Sequence, residues 1–293
     1  MVINMNDLLE EFYDFLEKKR LSNNSIKAYI SDITDFKVYL DVNNINYIKV
    51  NNDVIYNYVH SSLGSKSVAT VTRKINTIKK FYRFLLHNNY KIDKNILLYN
   101  APQPKRKTPE FLSQDEIDRI ISLPDSKTFK GIRDKALLEV LYGTGLKVNE
   151  IIDIKTQDID INLKFLKCQK GKKQRVIPLG TKSIESLKKY LDERKQIDNG
   201  NDYLFINSNY DILTRQGIWK IIKHYISKAG INKEINLNTF RHSFALHLLE
   251  NGADINIIQE LLGLKGVNVL QIYLDVLPRK KLREIYNTTH PRA

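Results

Sequence analysis

Arg241 and Tyr273 are the residues of this 293-residue chain whose types and spacing best suit phosphoryl chemistry. Leu237-Asn-Thr-Phe-Arg-His-Ser-Phe244 opens one helical pattern, Leu261-Leu-Gly263 closes another, and Gln271-Ile-Tyr273 follows. A guanidinium offers a phosphate a planar fork of donors, and a phenolic oxygen can attack the phosphorus. The net charge is +14. A surplus of that size points to a polyanionic partner, because each neutralised phosphate releases counterions. Together these residues imply a protein that grips DNA and breaks it through a phosphotyrosine bond. The plainer reading of the charge alone is a soluble protein with a lysine-rich composition.

The elements that must position these groups are legible in the patterning. At 42% hydrophobic and 27% charged, the chain has enough apolar residues for one large or two ordinary cores. Cys168 is the only cysteine, which excludes an internal disulfide and fits a reducing compartment. The first ten residues lack a basic start followed by an apolar run, and no stretch approaches bilayer length; a cytoplasmic protein without membrane contact is expected.

The first hundred residues read as consecutive helices. Asn6 is the expected cap of a run carrying Leu9, Phe12, Tyr13 and Leu16, and Ser22 or Asn24 starts the next. A fourth helix begins near Ser67. Its polar face displays Arg73, Lys74, Lys79, Lys80 and Arg83, which suits a solvated surface or a DNA backbone. Pro102-Gln-Pro-Lys-Arg-Lys-Thr-Pro109 breaks all periodicity, so Lys105, Arg106 and Lys107 fall in a basic linker. The expected organisation is a helical domain over 1–100, a linker over 101–109 and a second domain over 110–293. That second domain reads as mainly α with one hairpin: Phe165 to Cys168, a turn containing Lys170, Lys172 and Lys173, then Arg175 to Leu179.

Six motifs in order resemble the tyrosine recombinase family, with its Xer branch (XerC/XerD) the nearest. They are Tyr142-Gly-Thr-Gly-Leu-Lys-Val-Asn-Glu150, Lys170-Gly-Lys-Lys-Gln-Arg-Val-Ile-Pro-Leu-Gly180, Phe240-Arg-His-Ser-Phe-Ala-Leu-His-Leu-Leu249, Gly252-Ala-Asp254, Leu261-Leu-Gly263 and Gln271-Ile-Tyr273. The resemblance covers nearly the whole chain. It implies a helical core-binding domain and a tyrosine-recombinase catalytic domain that clamp duplex DNA. It also implies metal-free, cofactor-free phosphoryl transfer through a 3′-phosphotyrosyl intermediate. Such chemistry needs cationic donors for the phosphoryl oxygens and an acid for the leaving oxygen.

By that resemblance Tyr273 is the nucleophile, Arg241 the second catalytic arginine, Lys170 the general acid, and Glu150 the support of the first arginine. Three family positions carry other residues. Lys147 stands where the first arginine is usual and lacks the bidentate fork. Asn238 stands where a histidine is usual; it cannot take a proton at neutral pH and suits a helix N-cap. Leu264 stands where histidine or tryptophan is usual and has no donor. His242 belongs to the family's ordinary Arg-His pair and is not expected to replace the missing base; on a helix it points about 100° away from Arg241. Two readings follow: a site-specific recombinase, or a paralogue (natural or inactivated by design) that only holds DNA. The family also implies a homo- or hetero-tetramer on two DNA sites, with a tail helix over Arg279 to Tyr286 docking on a neighbour. A cell-division DNA translocase is a further implied partner.

Overall fold

The computed structural model describes residues 4–104, 109–170, 173–197, 200–264, 266 and 270–274. The side chains of Lys170 and Lys173 lie outside the description, as do Lys105, Arg106, Lys107, Lys172 and the tail over 279–286. The chain divides into two compact units, Met1–Arg106 and Lys107–Ala293.

The first unit is helical: α1 (Met5–Lys18), α2 (Asn23–Val42), α3 (Asn52–Leu63) and α4 (Val68–His87). Asn4, not Asn6, caps α1, its side chain accepting the Asn6 N–H at 3.1 Å. The buried stripe is accordingly Met5, Leu8, Phe12 and Leu16, spaced by three and four residues. Tyr13 falls off that stripe and reaches Glu17 at 3.0 Å in solvent. Ser22 and Ser67 cap α2 and α4 through their hydroxyls. Phe12 meets Phe81 edge-on at 5.2 Å in the middle of this core. Each such ring, once fully buried, contributes about 1.5–3 kcal/mol.

The second unit has α5 (Gln114–Ser122), α6 (Phe129–Thr144), α7 (Val148–Ile152), β1 (Ile159–Asp160), β2 (Phe165–Lys170), β3 (Lys173–Pro178) and α8 (Thr181–Lys195). It continues with α9 (Arg215–Lys228), α10 (Thr239–Glu250), α11 (Ile255–Leu262) and α12 (Gln271–Leu274). The strands form one antiparallel sheet in the order β1-β2-β3, with Arg175 opposite Cys168 and Lys170 opposite Lys173. The mainly helical class with a small sheet is the one the sequence implies. Ser113 and Glu116 form a reciprocal cap of α5. The α6 helix runs from a Thr128 cap to a left-handed Gly145. A satellite cluster of Ala245, Leu246, Leu249, Ile258, Leu262, Leu270 and Tyr273 sits beside the main core. No helix of the described residues is long and apolar enough to cross a membrane.

Candidate active site

Two glycine-capped helix ends build the floor of the site. Gly145 ends α6 at φ +58° and Gly263 ends α11 at φ +61°, a region that residues with a Cβ enter at a cost. The Gly145 carbonyl accepts from Arg241 Nη1 at 2.9 Å, and the Leu262 carbonyl from Nη2 at 2.7 Å. These two bonds fix the plane of a guanidinium that is only 5% exposed. A Cβ at Gly263 would lie 2.7 Å from Nη1 of Arg175, so this glycine is also the space through which Arg175 passes.

Arg175 is the residue that sequence reasoning missed. It projects from β3, donates from Nε to the Leu261 carbonyl at 3.1 Å, and meets Glu150 at 2.8 Å through Nη2. Its signal is its place inside the Lys170-to-Gly180 motif, five residues beyond Lys170 on the returning strand. Glu150 was expected to support position 147. Its carboxylate accepts the Lys147 backbone N–H at 3.0 Å, but its ion pair goes to Arg175, with Arg241 Nη1 3.9 Å away. Burial works to raise the Glu150 pKa. The Arg175 hydrogen bond, the Lys147 N–H and the two guanidinium charges outweigh it, and the net direction is down. Two arginines thus share one carboxylate, and a surplus of positive charge remains for a phosphate.

Tyr273 and His242 complete the site. Tyr273 is 6% exposed, and its hydroxyl lies 2.7 Å from Nδ1 of His242. Burial raises the tyrosine's pKa, opposed by the field of Arg241. Burial, then the Arg241 charge, lowers that of His242. The rotation between adjacent helical residues sends Arg241 to the carbonyls and His242 to the Tyr273 hydroxyl. Beyond His242 opens a cleft of about 560 Å³ lined by Asn238, Trp219, Gln216 and Arg215. Asn238 is exposed there, and its side chain makes no capping bond. Its backbone is already helical at φ −99°, ψ −1°, so the geometry of an N-cap is lost. Its N–H is instead held by Asn236 at 2.7 Å. Leu264 is half-buried against the satellite cluster, its N–H bonded to Gln259 O at 3.0 Å.

In the first unit the basic face of α4 is less uniform than its sequence suggests. Lys74 does not face solvent: it is 3% exposed, paired with Asp35 of α2, and 3.8 Å from Asp32. Arg73 also pairs with Asp32, whose second contact is Thr77 at 3.0 Å. The α2 carboxylates come across to α4 because a buried ammonium without a partner is costly. Lys79, Lys80, Arg83 and Arg73 line a cavity of about 590 Å³ with Tyr29, and Lys80 stands 4.4 Å over the Tyr29 ring.

The helical first unit, the helix-and-hairpin second unit and two arginines on one carboxylate, the buried Arg241 acting on a tyrosine hydroxyl, define a phosphoryl-transfer protein of the integrase type. The chain matches the phage integrase family over residues 110–280 and the phage integrase N-terminal SAM-like domain over residues 9–89; it belongs to that family, the tyrosine recombinases, which cleave and rejoin DNA. Tyrosine recombinase XerD of Staphylococcus epidermidis is 38% identical over 299 aligned residues, covering 99% of this chain and 100% of the relative. XerD of Listeria monocytogenes is also 38% identical, with the same coverage. Among solved structures, XerA recombinase is 29% identical with a TM-score of 0.57, covering 98% of this chain and 100% of that one. XerH bound to a palindromic difH substrate in a post-cleavage complex shares the fold at a TM-score of 0.75 and 22% identity, covering 95% and 83%.

Proposed function

We propose that this chain is a site-specific recombinase that cuts duplex DNA through Tyr273, with Arg241 and Arg175 holding the scissile phosphate. The observation that carries this reading is the Glu150-centred pair of guanidiniums, one of which, Arg241, acts on the Tyr273 hydroxyl. In-line attack by that hydroxyl forms the phosphotyrosyl bond while the 5′-oxygen departs. Lys170, at the end of β2, is the proposed acid for that oxygen. Lys147 adds a point charge in place of a fork. Residues 1–100 serve as the core-binding domain, 101–109 as linker and 110–293 as catalytic domain, the two clamping the duplex. The DNA-bound complexes of XerH and of lambda integrase, the latter a dimer on its core site, support duplex DNA and a multimeric assembly as partners. A tetramer on two sites and a cell-division translocase are the finer partners this reading carries.

A second reading, a paralogue that holds DNA without cutting it, is favoured by Leu264, which packs into apolar neighbours where a phosphate donor is wanted. A nicked suicide duplex, its sequence obtained by binding selection, separates the two. A covalent protein–DNA band that disappears in Tyr273→Phe establishes cutting. Tight binding without the band, even beside an intact partner recombinase, establishes the paralogue.

A further inference from the structure

We propose that His242 is the general base of strand cleavage, taking the phenolic proton of Tyr273 as its oxygen attacks the phosphate. The inference rests on the reading that Tyr273 cuts DNA. Its first support is geometric. The 2.7 Å separation of Nδ1 and Oη lies within direct proton-transfer reach, with no bridging water required. Its second support is chemical. Asn238 and Leu264, the other side chains placed nearby by sequence, have no group that accepts a proton at neutral pH.

The electrostatics suit the assignment. Burial and the Arg241 charge keep the imidazole neutral, so Nδ1 can accept. Burial keeps the phenol protonated until attack begins, with Arg241 easing the charge that then develops. The titratable and charged groups facing His242 are Arg241 on its own helix, Tyr273 from α12 and Arg215 from α9 across the cleft. Tyr142 of α6 is engaged elsewhere, 2.9 Å from His247. In the step itself the Oη–P bond forms and the P–O5′ bond breaks. The phenolic proton moves to Nδ1, giving an imidazolium whose Nε2 already carried a proton. The leaving 5′-oxygen takes its proton from the general acid. Rejoining runs the same transfers backwards, so one histidine serves as base and then as acid.

The test is single-turnover formation of the covalent adduct on the suicide duplex from about pH 5 to 9, across the range in which a histidine titrates. Wild type is expected to lose rate toward acid as His242 protonates. His242→Ala is expected to slow by about 10²–10⁴-fold with unchanged DNA affinity, and added imidazole should restore part of the rate. His242→Gln keeps a hydrogen-bond acceptor for the phenol but cannot take its proton. It should remain slow and lose the acid limb, and it covers the case in which the alanine variant folds poorly. Wild-type rates in either variant overturn the proposal, as does full recovery in His242→Gln, which would reduce His242 to a holder. Absence of any wild-type adduct overturns the cutting reading itself and this inference with it. Adduct from wild type and both variants alike overturns this inference alone.

Discussion

Glu150 holds Arg175 through two carboxylate–guanidinium contacts, of 2.8 and 3.4 Å, and its carboxylate also bonds the first turn of α7. The pair is almost enclosed, with Glu150 8% and Arg175 15% exposed at the side chain. Removing one member of a buried pair leaves an uncompensated charge, at about 3–5 kcal/mol. Glu150→Ala is therefore expected to lower unfolding stability in urea by an amount in that range. Arg175→Ala should lose less, because a lone carboxylate can protonate, yet it should abolish adduct formation.

The same carboxylate predicts an acid limb of stability. Burial pushes the Glu150 pKa up, but Arg175, the Lys147 N–H and Arg241 together bring it below the ordinary value. A group whose folded pKa is depressed contributes stability above its unfolded pKa, about 4.3 for glutamate, and loses it as pH falls through the folded pKa. Wild type should therefore destabilise on acidification more steeply than Glu150→Gln. Denaturant midpoints measured between neutral and acid pH decide it, and parallel curves would remove Glu150 from the account.

Gly263 and Gly252 both sit at positive φ, but only one has a neighbour. A Cβ at Gly263 meets the Arg175 guanidinium at 2.7 Å, whereas one at Gly252 meets nothing within 4 Å. Each alanine substitution should cost about 1–2 kcal/mol of backbone strain. Gly263→Ala should in addition displace Arg175 and slow adduct formation, while Gly252→Ala should leave it unchanged. Equal activity in the two variants would contradict the proposed role of Arg175.

The fold was legible because its signals are local. Ser22, Ser67, Ser113 and Asp254 announce helices one residue ahead, and Gly145 and Gly263 close two of them, so periodicity needed little tertiary help. The motifs single out Arg241, Tyr273 and Glu150 by residue type, and the structure gathers them, but with Arg175 rather than position 147 as the ion-pair partner of Glu150. Sequence reasoning failed where a side chain's partner comes from a distant element. Lys74 reads as a surface cation until Asp35, 39 residues away, is folded against it. Arg175 reads as a strand residue until Glu150 and Leu261 close around it, at separations of 25 and 86 residues. His242 reads as an inert neighbour of Arg241 until α12 brings Tyr273 to it.

On α4, burial separates the cations proposed to bind DNA from Lys74, which is 3% exposed and paired within the fold. Lys79→Ala, Lys80→Ala and Arg83→Ala should each weaken duplex binding similarly on all sequences. Each lost phosphate contact should flatten the slope of log K against log salt by about 0.9. Lys74→Ala should leave that slope unchanged and instead destabilise the first unit, since it removes the buried ammonium between Asp35 and Asp32 and leaves them only Lys66 and Arg73 as cationic partners. Burial and the Arg83 charge lower the Lys79 pKa, so its contribution to binding should fade first as pH rises. Salt titrations at two pH values, read beside thermal unfolding, separate the four variants.

Lys147 is the N-cap residue of α7 and has its N–H on Glu150, so the backbone that presents position 147 is already held in place. Lysine supplies charge there without the planar pair of donors that follows the equatorial oxygens of a transferring phosphoryl group. One transition-state donor is worth about 10²–10³ in rate. Lys147→Arg is therefore expected to raise the adduct rate by up to that factor while changing duplex affinity little, because affinity is spread over many phosphates. Leu264→His should gain less. Its side chain must leave the apolar cluster it packs against, and the turn is fixed by Gln259 at both the Leu264 N–H and carbonyl. Combining the two should not multiply their effects, since groups around one phosphate act as a unit. If Lys147→Arg gains affinity instead of rate, position 147 binds the ground state and transition-state stabilisation rests with Arg175 and Arg241.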